Sequence, residues 1–299
     1  MTVAIIGLGL IGGSLARALR RGTAAAPVEV LGVDADPGAL EQALAAGAIN
    51  EGVSLDEALS PASSVLARAD LVVLAVPGPS LLALVGPVAG KLAPGAVLTD
   101  VGGAKGPVVE AASRQRSALF VGGHPMAGTE FRGFSASFES LFDGCTFALC
   151  AAVGGPEGAA AGPLGRAAEE RVEALWTRAG AGRVLRVEPE AHDRAVTFAS
   201  HLPYLAAAGV AQALISSGGP AQLARELAAG GFRDTTRLAG DGTLAGAASQ
   251  NRFLPEAARA LANTLLEWAG RLEKDPQGLL PELGELAEAR RGMPLPPRR

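Results

Sequence analysis

Aromatic residues and cysteines are scarce in this chain, and positive charge is not in excess. Aromatic side chains make up only 4% of the residues, which disfavours the stacking platforms that bind single-stranded nucleic acid. The formal net charge is −4, and a mildly acidic surface argues against binding to a phosphate backbone. The two cysteines, Cys145 and Cys150, fit neither a disulfide framework nor a zinc site. We therefore predict buried thiols, no nucleic-acid partner and no bound metal.

The sequence also lacks the signs of export or membrane insertion. Its apolar N-terminal segment, residues 1–13, has no basic leader and runs directly into a fold motif, so we do not interpret it as a signal peptide. We expect no apolar run to be long and glycine-free enough to cross a bilayer. These observations predict a cytoplasmic protein without a membrane partner.

The length and the order of apolar segments predict two domains. With 299 residues, 48% of them hydrophobic, the chain can form two cores. Short apolar runs alternate with amphipathic stretches up to about residue 187, which is typical of a parallel sheet with helices on both faces. After that point only helical patterns follow. We predict an α/β domain over residues 1–188 and an all-helical domain over residues 189–299.

A glycine-rich segment follows the first predicted strand. Gly7-Leu8-Gly9-Leu10-Ile11-Gly12 matches the G-x-G-x-x-G pattern and opens a helix. This context is typical of a Rossmann-type, doubly wound dinucleotide-binding domain, in which the helix N-terminus faces the pyrophosphate. Asp34 ends the second predicted strand, where a carboxylate accepts hydrogen bonds from the adenosine ribose and repels a 2′-phosphate. Val76 and Pro77, at the end of a later strand, are expected to form a wall of the same site. The predicted cofactor is NAD rather than NADP.

One histidine is well placed for acid–base chemistry. His124 follows a predicted strand and two glycines, which puts it at the carboxyl edge of the sheet, where ligands bind in this architecture. Oxidation of an alcohol requires removal of a proton as hydride leaves, and a neutral histidine suits that task near pH 7. His124 is the candidate catalytic residue.

The first helix of the predicted C-terminal domain carries a polar stripe. Asp193, Thr197 and Tyr204 recur at helical spacing on an otherwise apolar segment. Pro203 should free a backbone carbonyl and kink the helix beside His201. For His201 a position in a ligand cleft and a position in the core are both open, and for His192 we expect a capping or structural role.

Two arginines form a candidate anion site further along. Arg233 and Arg237 are four residues apart and share a face if the segment is helical. Arginine binds carboxylates through two parallel hydrogen bonds. A solvated basic turn is the alternative. We favour an anion site, and Arg237 over Arg233 as its main residue.

These segments together resemble the prephenate/arogenate dehydrogenase family. The resemblance covers the chain from its start to about residue 240, and HPMAGTE, SHLPY and FRDTTR are its most specific parts. It implies NAD-dependent oxidation of a ring hydroxyl coupled to loss of the ring carboxylate, and a homodimer formed through the helical domain. The matching segments are GLGLIGGSLARAL, DVGGAKG, FVGGHPMAGTE, HDRAVTFASHLPY and GGFRDTTRLA.

The resemblance also implies roles for individual residues. His124 would accept the hydroxyl proton or polarise the hydroxyl, and Arg237 would hold a substrate carboxylate. The remaining residues implied in the substrate cleft are Lys105, Thr129, Glu130, His201 and Tyr204.

The sequence departs from the family pattern at three places. Gly103 stands where the family commonly has a serine, and Tyr204 where it usually has a second histidine. The segment after residue 239 lacks the tryptophan that often follows in the family. Prephenate is the predicted substrate, with arogenate as the alternative. A β-hydroxyacid dehydrogenase is disfavoured because the helix over residues 189–216 has no lysine, and a non-catalytic NAD-binding module is less favoured because His124 and Arg237 are retained.

Overall fold

A computed structural model describes residues 1–21, 27–240 and 242–294, without the side chains of residues 242 and 243. By its internal contacts the chain divides into two compact units, Met1–Phe253 and Leu254–Arg299. The first unit holds the sheet and all the candidate site residues. The predicted division at residue 188 lies within it and stays a prediction.

An eight-stranded sheet forms the centre of the first unit, in the order β3-β2-β1-β4-β5-β6-β7-β8. Only β6 and β7 pair antiparallel, and the other neighbours are parallel, which confirms the Rossmann-type α/β class. The strands are β1 (Thr2–Ile6), β2 (Glu29–Asp34), β3 (Glu51–Ser54), β4 (Leu71–Leu74), β5 (Val97–Asp100), β6 (Leu119–Pro125), β7 (Thr146–Gly154) and β8 (Arg183–Arg186).

Helices cover both faces of this sheet, and helices alone follow β8 among the described residues. They are α1 (Leu10–Arg20), α2 (Pro37–Ala45), α3 (Leu55–Leu59), α4 (Gly78–Ala89), α5 (Gly106–Ser113), α6 (Pro163–Arg178), α7 (Pro189–Val196), α8 (Leu202–Ile215), α9 (Pro220–Glu226), α10 (Gly230–Thr236) and α11 (Gly242–Gln250). The second unit consists of α12 (Leu254–Lys274) and α13 (Leu280–Gly292).

The central strands are buried on both faces, which explains their continuous apolar sequences. On one face Trp176 of α6 is fully buried and stacks on Phe147 at 4.6 Å between ring centroids. Burial of an aromatic pair of this kind stabilises the core by about 1 kcal/mol beyond the area it removes from water. Both cysteines are buried as predicted, and burial raises the pKa of the Cys150 thiol to about 12.

Two elements differ from the sequence-based prediction. Strand β3 was missed because Glu51-Gly52-Val53-Ser54 contains one apolar side chain and no alternating pattern. Helix α6 begins at Pro163, inside the segment 154–165, whose Gly-, Ala- and Pro-rich composition predicts a loop. Proline fits the first helical turn because its missing N–H would have no intrahelical partner there.

The helix after β8 continues past Pro203 rather than ending there. A π-helical turn over Thr197–His201 joins α7 to α8, where we had predicted a proline kink. The whole stretch Pro189–Ile215 is long and apolar enough, by length and composition alone, to cross a membrane. The expectation that no segment would pass this test was therefore wrong. Within this stretch, Asp193, Thr197 and His201 are buried in hydrogen bonds to the protein.

Candidate active site

The glycine loop between β1 and α1 has the geometry of a dinucleotide cradle. Gly7 has φ of +96°, and a Cβ there would lie 2.6 Å from the carbonyl oxygen of Ala75. At Gly12 a Cβ would lie 1.8 Å from the carbonyl oxygen of Gly7. Gly9 faces open space within 4 Å and caps α1 without a side-chain hydrogen bond. The free N–H groups of the first helical turn are therefore open to an anion, so the loop fits a pyrophosphate.

Asp34 lies at the end of β2, as predicted. One carboxylate oxygen accepts the backbone N–H of Leu8 at 2.6 Å, and the other accepts that of Asp36 at 2.9 Å. These bonds hold the carboxylate against the glycine loop and leave lone pairs for ribose hydroxyls. Asp36 itself caps α2 by accepting the backbone N–H of Gly38.

We expect Asp34→Ser to weaken the preference for NAD over NADP, because the carboxylate that repels a 2′-phosphate is removed. The measurement is the ratio of kcat/KM values with the two cofactors. Asp36→Ser is a matched control, since serine also caps helices. An unchanged ratio in the Asp34 variant would exclude this side chain as the ribose contact.

A cavity of about 390 Å³ joins the glycine loop to the end of β6. Leu244, Ala247 and Gln250 of α11 close it from the other side. Its lining includes Gly9, Leu10, Ile11, Val76, Pro77, Gly103, His124 and Thr129. The structure therefore brings the predicted cofactor loop and the predicted catalytic histidine to one space.

A larger groove of about 530 Å³ contains none of the predicted site residues. Three arginines line it, and each is already bound to the protein. Arg17 donates to Ser137, Arg20 to Asn50 and Arg21 to Asp143. These internal partners make the groove a weaker candidate than the cavity beside His124.

His124 lies in β6, at the carboxyl edge of the sheet. The preceding glycine is required, because a Cβ at Gly123 would lie 2.6 Å from both the carbonyl oxygen of Asp100 and the ring of Phe147. Burial lowers the pKa of His124 well below its ordinary value, and the nearby His192, Lys105 and His201 lower it further. Part of the ring still borders the cavity. His124 is therefore neutral near pH 7 and able to accept a proton.

The structure brings His192 and Asp193 next to His124, and the capping or structural role expected for His192 stays a prediction. His192 Nε2 lies 3.0 Å from His124 Nδ1, and its Nδ1 lies 2.8 Å from Asp193 Oδ1. Asp193 also accepts the backbone N–H groups of Lys105 at 2.7 Å and Gly106 at 2.8 Å. Burial opposes ionisation of Asp193, but these hydrogen bonds outweigh it and lower its pKa. The carboxylate thus ties α7 to the start of α5.

His201 is buried and held by Asn251, a residue that sequence reasoning missed. Asn251 Nδ2 lies 2.9 Å from His201 Nδ1 and donates to the carbonyl of Asp193 at 2.8 Å. The same carbonyl also accepts the backbone N–H and the hydroxyl of Thr197. Burial lowers the pKa of His201 below its ordinary value. The only sequence signal for Asn251 is a polar side chain immediately after α11.

The other predicted site residues differ in how far they are buried. Lys105 is fully buried, paired with Asp100, and donates to the carbonyl of Gly123 at 2.6 Å, so it does not line the cavity as we had expected. Arg237 is 60% exposed and lies 4.0 Å from Glu130. Tyr204 is half-buried.

Comparisons with known proteins agree with this arrangement. Models of the nucleotide-binding domain and the dimerization domain of prephenate dehydrogenase match residues 15–157 and 188–252. The structure of Synechocystis arogenate dehydrogenase is 30% identical, covers 98% of both chains and superposes with a TM-score of 0.72. The chain belongs to the prephenate/arogenate dehydrogenase family.

Two other members of this family are also similar. Prephenate dehydrogenase of Bacillus subtilis is 32% identical over 243 residues, which is 80% of this chain and 60% of that relative. The chain therefore spans about three fifths of the length of this relative. The structure of prephenate dehydrogenase from A. aeolicus in complex with hydroxyphenyl propionate and NAD+ is 26% identical, with a TM-score of 0.80 over 97% of both chains.

The glycine at position 103 has a structural explanation in this family member. A Cβ there would lie 2.8 Å from Cβ of Ala247, closer than two such atoms pack. The same point is 3.7 Å from His201 Nε2 and 3.8 Å from His124 Cε1. Ala247 thus fills the space that a serine side chain would need, and the gap between the two imidazoles stays open to the cavity.

Proposed function

We propose that this chain catalyses the NAD-dependent oxidative decarboxylation of prephenate to 4-hydroxyphenylpyruvate. The observation that carries the proposal is a neutral, partly accessible His124 in the same cavity as a glycine loop that fits a dinucleotide. Family membership supplies the substrate class. When bound, NAD+ accepts a hydride from the hydroxyl-bearing ring carbon.

The role of His124 follows from where the proton must go. As the ring carbon loses hydride, its hydroxyl must lose a proton, and His124 is the neutral base at the cavity. Loss of the ring carboxylate as carbon dioxide then leaves a phenolate oxygen. His124 returns its proton to that oxygen, so the histidine ends the cycle in its starting state. Formation of the aromatic ring makes the overall step strongly favourable.

Arg237 is proposed to bind a substrate carboxylate. Its guanidinium has a single carboxylate neighbour among the described residues, Glu130 at 4.0 Å, and most of the side chain is exposed. That geometry leaves donors free for a planar carboxylate. A divalent anion such as prephenate needs a cationic partner, and Lys105 is already neutralised by Asp100. Arg132, which lines the cavity, is a second arginine that could serve.

Arg237→Ala should raise the KM for prephenate about tenfold or more with a smaller change in kcat, because two charge-assisted hydrogen bonds to the substrate are lost. Steady-state NADH formation measures both parameters. Arg225→Ala, at another exposed helical position, is the matched control. An unchanged KM in the Arg237 variant would remove this residue from the substrate site.

Arogenate dehydrogenase activity is the second candidate, because the Synechocystis relative carries that name at 30% identity. The deciding experiment is NADH formation by the purified chain with NAD+ and either prephenate or arogenate. Turnover of prephenate supports the proposal. Turnover of arogenate alone would change the assigned substrate from prephenate to arogenate. NAD binding without turnover of either would favour a non-catalytic NAD-binding module.

We also propose a homodimer formed through the helical segment after β8. The matching family model for residues 188–252 is described as a dimerization domain, and α8 exposes Leu205, Val210 and Ile215. Exposed apolar side chains on one helix are typical of a subunit interface. The cytoplasmic location expected from the sequence stays part of this proposal.

A further inference from the structure

A buried chain of hydrogen bonds leads from Asp193 to His124. Asp193 Oδ1 lies 2.8 Å from His192 Nδ1, and His192 Nε2 lies 3.0 Å from His124 Nδ1. His192 and Asp193 are each at least 95% buried. No water is therefore needed to connect the helix α7 to the candidate base in β6.

The hydrogen bond between His192 and Asp193 determines which atom donates in the hydrogen bond between His124 and His192. An ionised carboxylate only accepts hydrogen bonds, so His192 Nδ1 carries the hydrogen. In a neutral imidazole the other nitrogen is then an acceptor, and His124 Nδ1 must donate to it. His124 Nε2 is left with a free lone pair. We infer that Asp193 and His192 are positioning residues that hold His124 in the Nδ1–H tautomer, with Nε2 as the proton acceptor.

This inference deepens the proposed function and rests on it for the direction of proton transfer. When His124 Nε2 accepts the hydroxyl proton, a positive charge forms in a buried site that also holds Lys105 and His201. Lys105 is neutralised by Asp100. The hydrogen bonds to His192 and Asp193 therefore stabilise the imidazolium of His124. His124 Nδ1–H donates to His192 Nε2, and His192 in turn is bound to the Asp193 carboxylate.

His201 is held in the opposite tautomer. The amide of Asn251 is oriented by two backbone groups, because its oxygen accepts from Phe253 and its nitrogen donates to the carbonyl of Asp193. An amide nitrogen cannot accept, so His201 Nδ1 is the acceptor and its Nε2 carries the hydrogen. His201 Nε2 and His124 Cε1 both lie within 4 Å of the Cβ position at Gly103. His201 Nε2 is thus a donor and His124 Nε2 an acceptor toward the same region of the cavity.

The tautomers can be measured without substrate. The chain has three histidines, so nitrogen-15 NMR of protein labelled at histidine contains three imidazoles, and His192→Gln and His201→Gln assign them by loss of a signal set. The inference requires Nδ1–H for His124 and His192 and Nε2–H for His201. A doubly protonated His192 at pH 7.5, or an Nε2–H tautomer of His124, would overturn it.

Two substitutions at His192 distinguish a role in positioning His124 from a role in protein stability alone. Glutamine can still accept the His124 Nδ1–H through its amide oxygen, whereas leucine cannot. We expect His192→Leu to lower kcat roughly 10²-fold or more, the scale of a lost acid–base alignment, with the KM for NAD+ nearly unchanged. His192→Gln should recover at least tenfold of that loss and keep the Nδ1–H signal of His124.

Equal kcat in the two folded variants, checked by their thermal melting, would overturn the positioning role. If neither prephenate nor arogenate is turned over by the parent chain, the proposed reaction fails. The NMR spectrum would still decide the tautomers, so the two failures are distinguishable.

Discussion

Replacing His124 with asparagine is expected to lower kcat by roughly two to four decades, the usual contribution of a positioned acid–base group. Asparagine retains a donor near the position of Nδ1 and can still reach His192 Nε2, which lies 3.0 Å from Nδ1 in the parent. It has no atom equivalent to Nε2. The substitution therefore removes the proton acceptor and preserves most of the hydrogen-bonding chain. NADH formation under saturating substrate measures the loss.

The same variant should bind NAD with nearly the parent affinity, because the glycine loop and Asp34 are formed by β1, α1 and β2. Gln250→Leu is a suitable control, since this residue also lines the cavity but carries no titratable group. The assignment of His124 fails if the asparagine variant turns over at a rate close to that of the parent.

Local patterns were sufficient to predict the cofactor half of the site. Gly7, Gly12 and Asp34 lie within 28 consecutive residues, and their roles follow from one strand, one turn and one helix. His124 was predicted on similar grounds, because a histidine at the end of a strand faces the ligand-binding edge of the sheet. These predictions required no knowledge of which distant segments pack together.

The catalytic half depends on tertiary packing and was predicted only in part. His192 lies 68 residues after His124, and no short pattern indicates that the two rings meet. Asn251 holds His201 across a separation of 50 residues. A π-helical turn over Thr197–His201 lies where Thr197 and His201 contact Asn251, whereas the proline rule alone predicted a kink.

Lys105 shows how the same residue type can serve two different purposes. The family resemblance implied that it lines the substrate cleft. In the structure it is fully buried, and its ammonium group binds the Asp100 carboxylate and the Gly123 carbonyl. Because Gly123 directly precedes His124, the lysine fixes the strand that carries the candidate base.

Lys105→Met is expected to lower the free energy of unfolding by about 3–5 kcal/mol, because it leaves the Asp100 carboxylate buried without its cation. Asp100 keeps the backbone N–H groups of Gly102 and Gly123, but these carry no net charge. Urea denaturation measures the loss. Lys274→Met, at an exposed position, should change stability by less than about 0.5 kcal/mol.

The double variant Asp100→Asn/Lys105→Met distinguishes a lost ion pair from lost packing. It buries no charge, so it should be more stable than Lys105→Met alone, although it still leaves the Gly123 carbonyl without the lysine donor. If Lys105→Met instead keeps the parent stability and raises the KM for the substrate, Lys105 contacts the substrate as the family resemblance implied. A loss of stability that the second substitution partly reverses, with kcat reduced in both variants, would show that the buried pair positions His124 through the backbone.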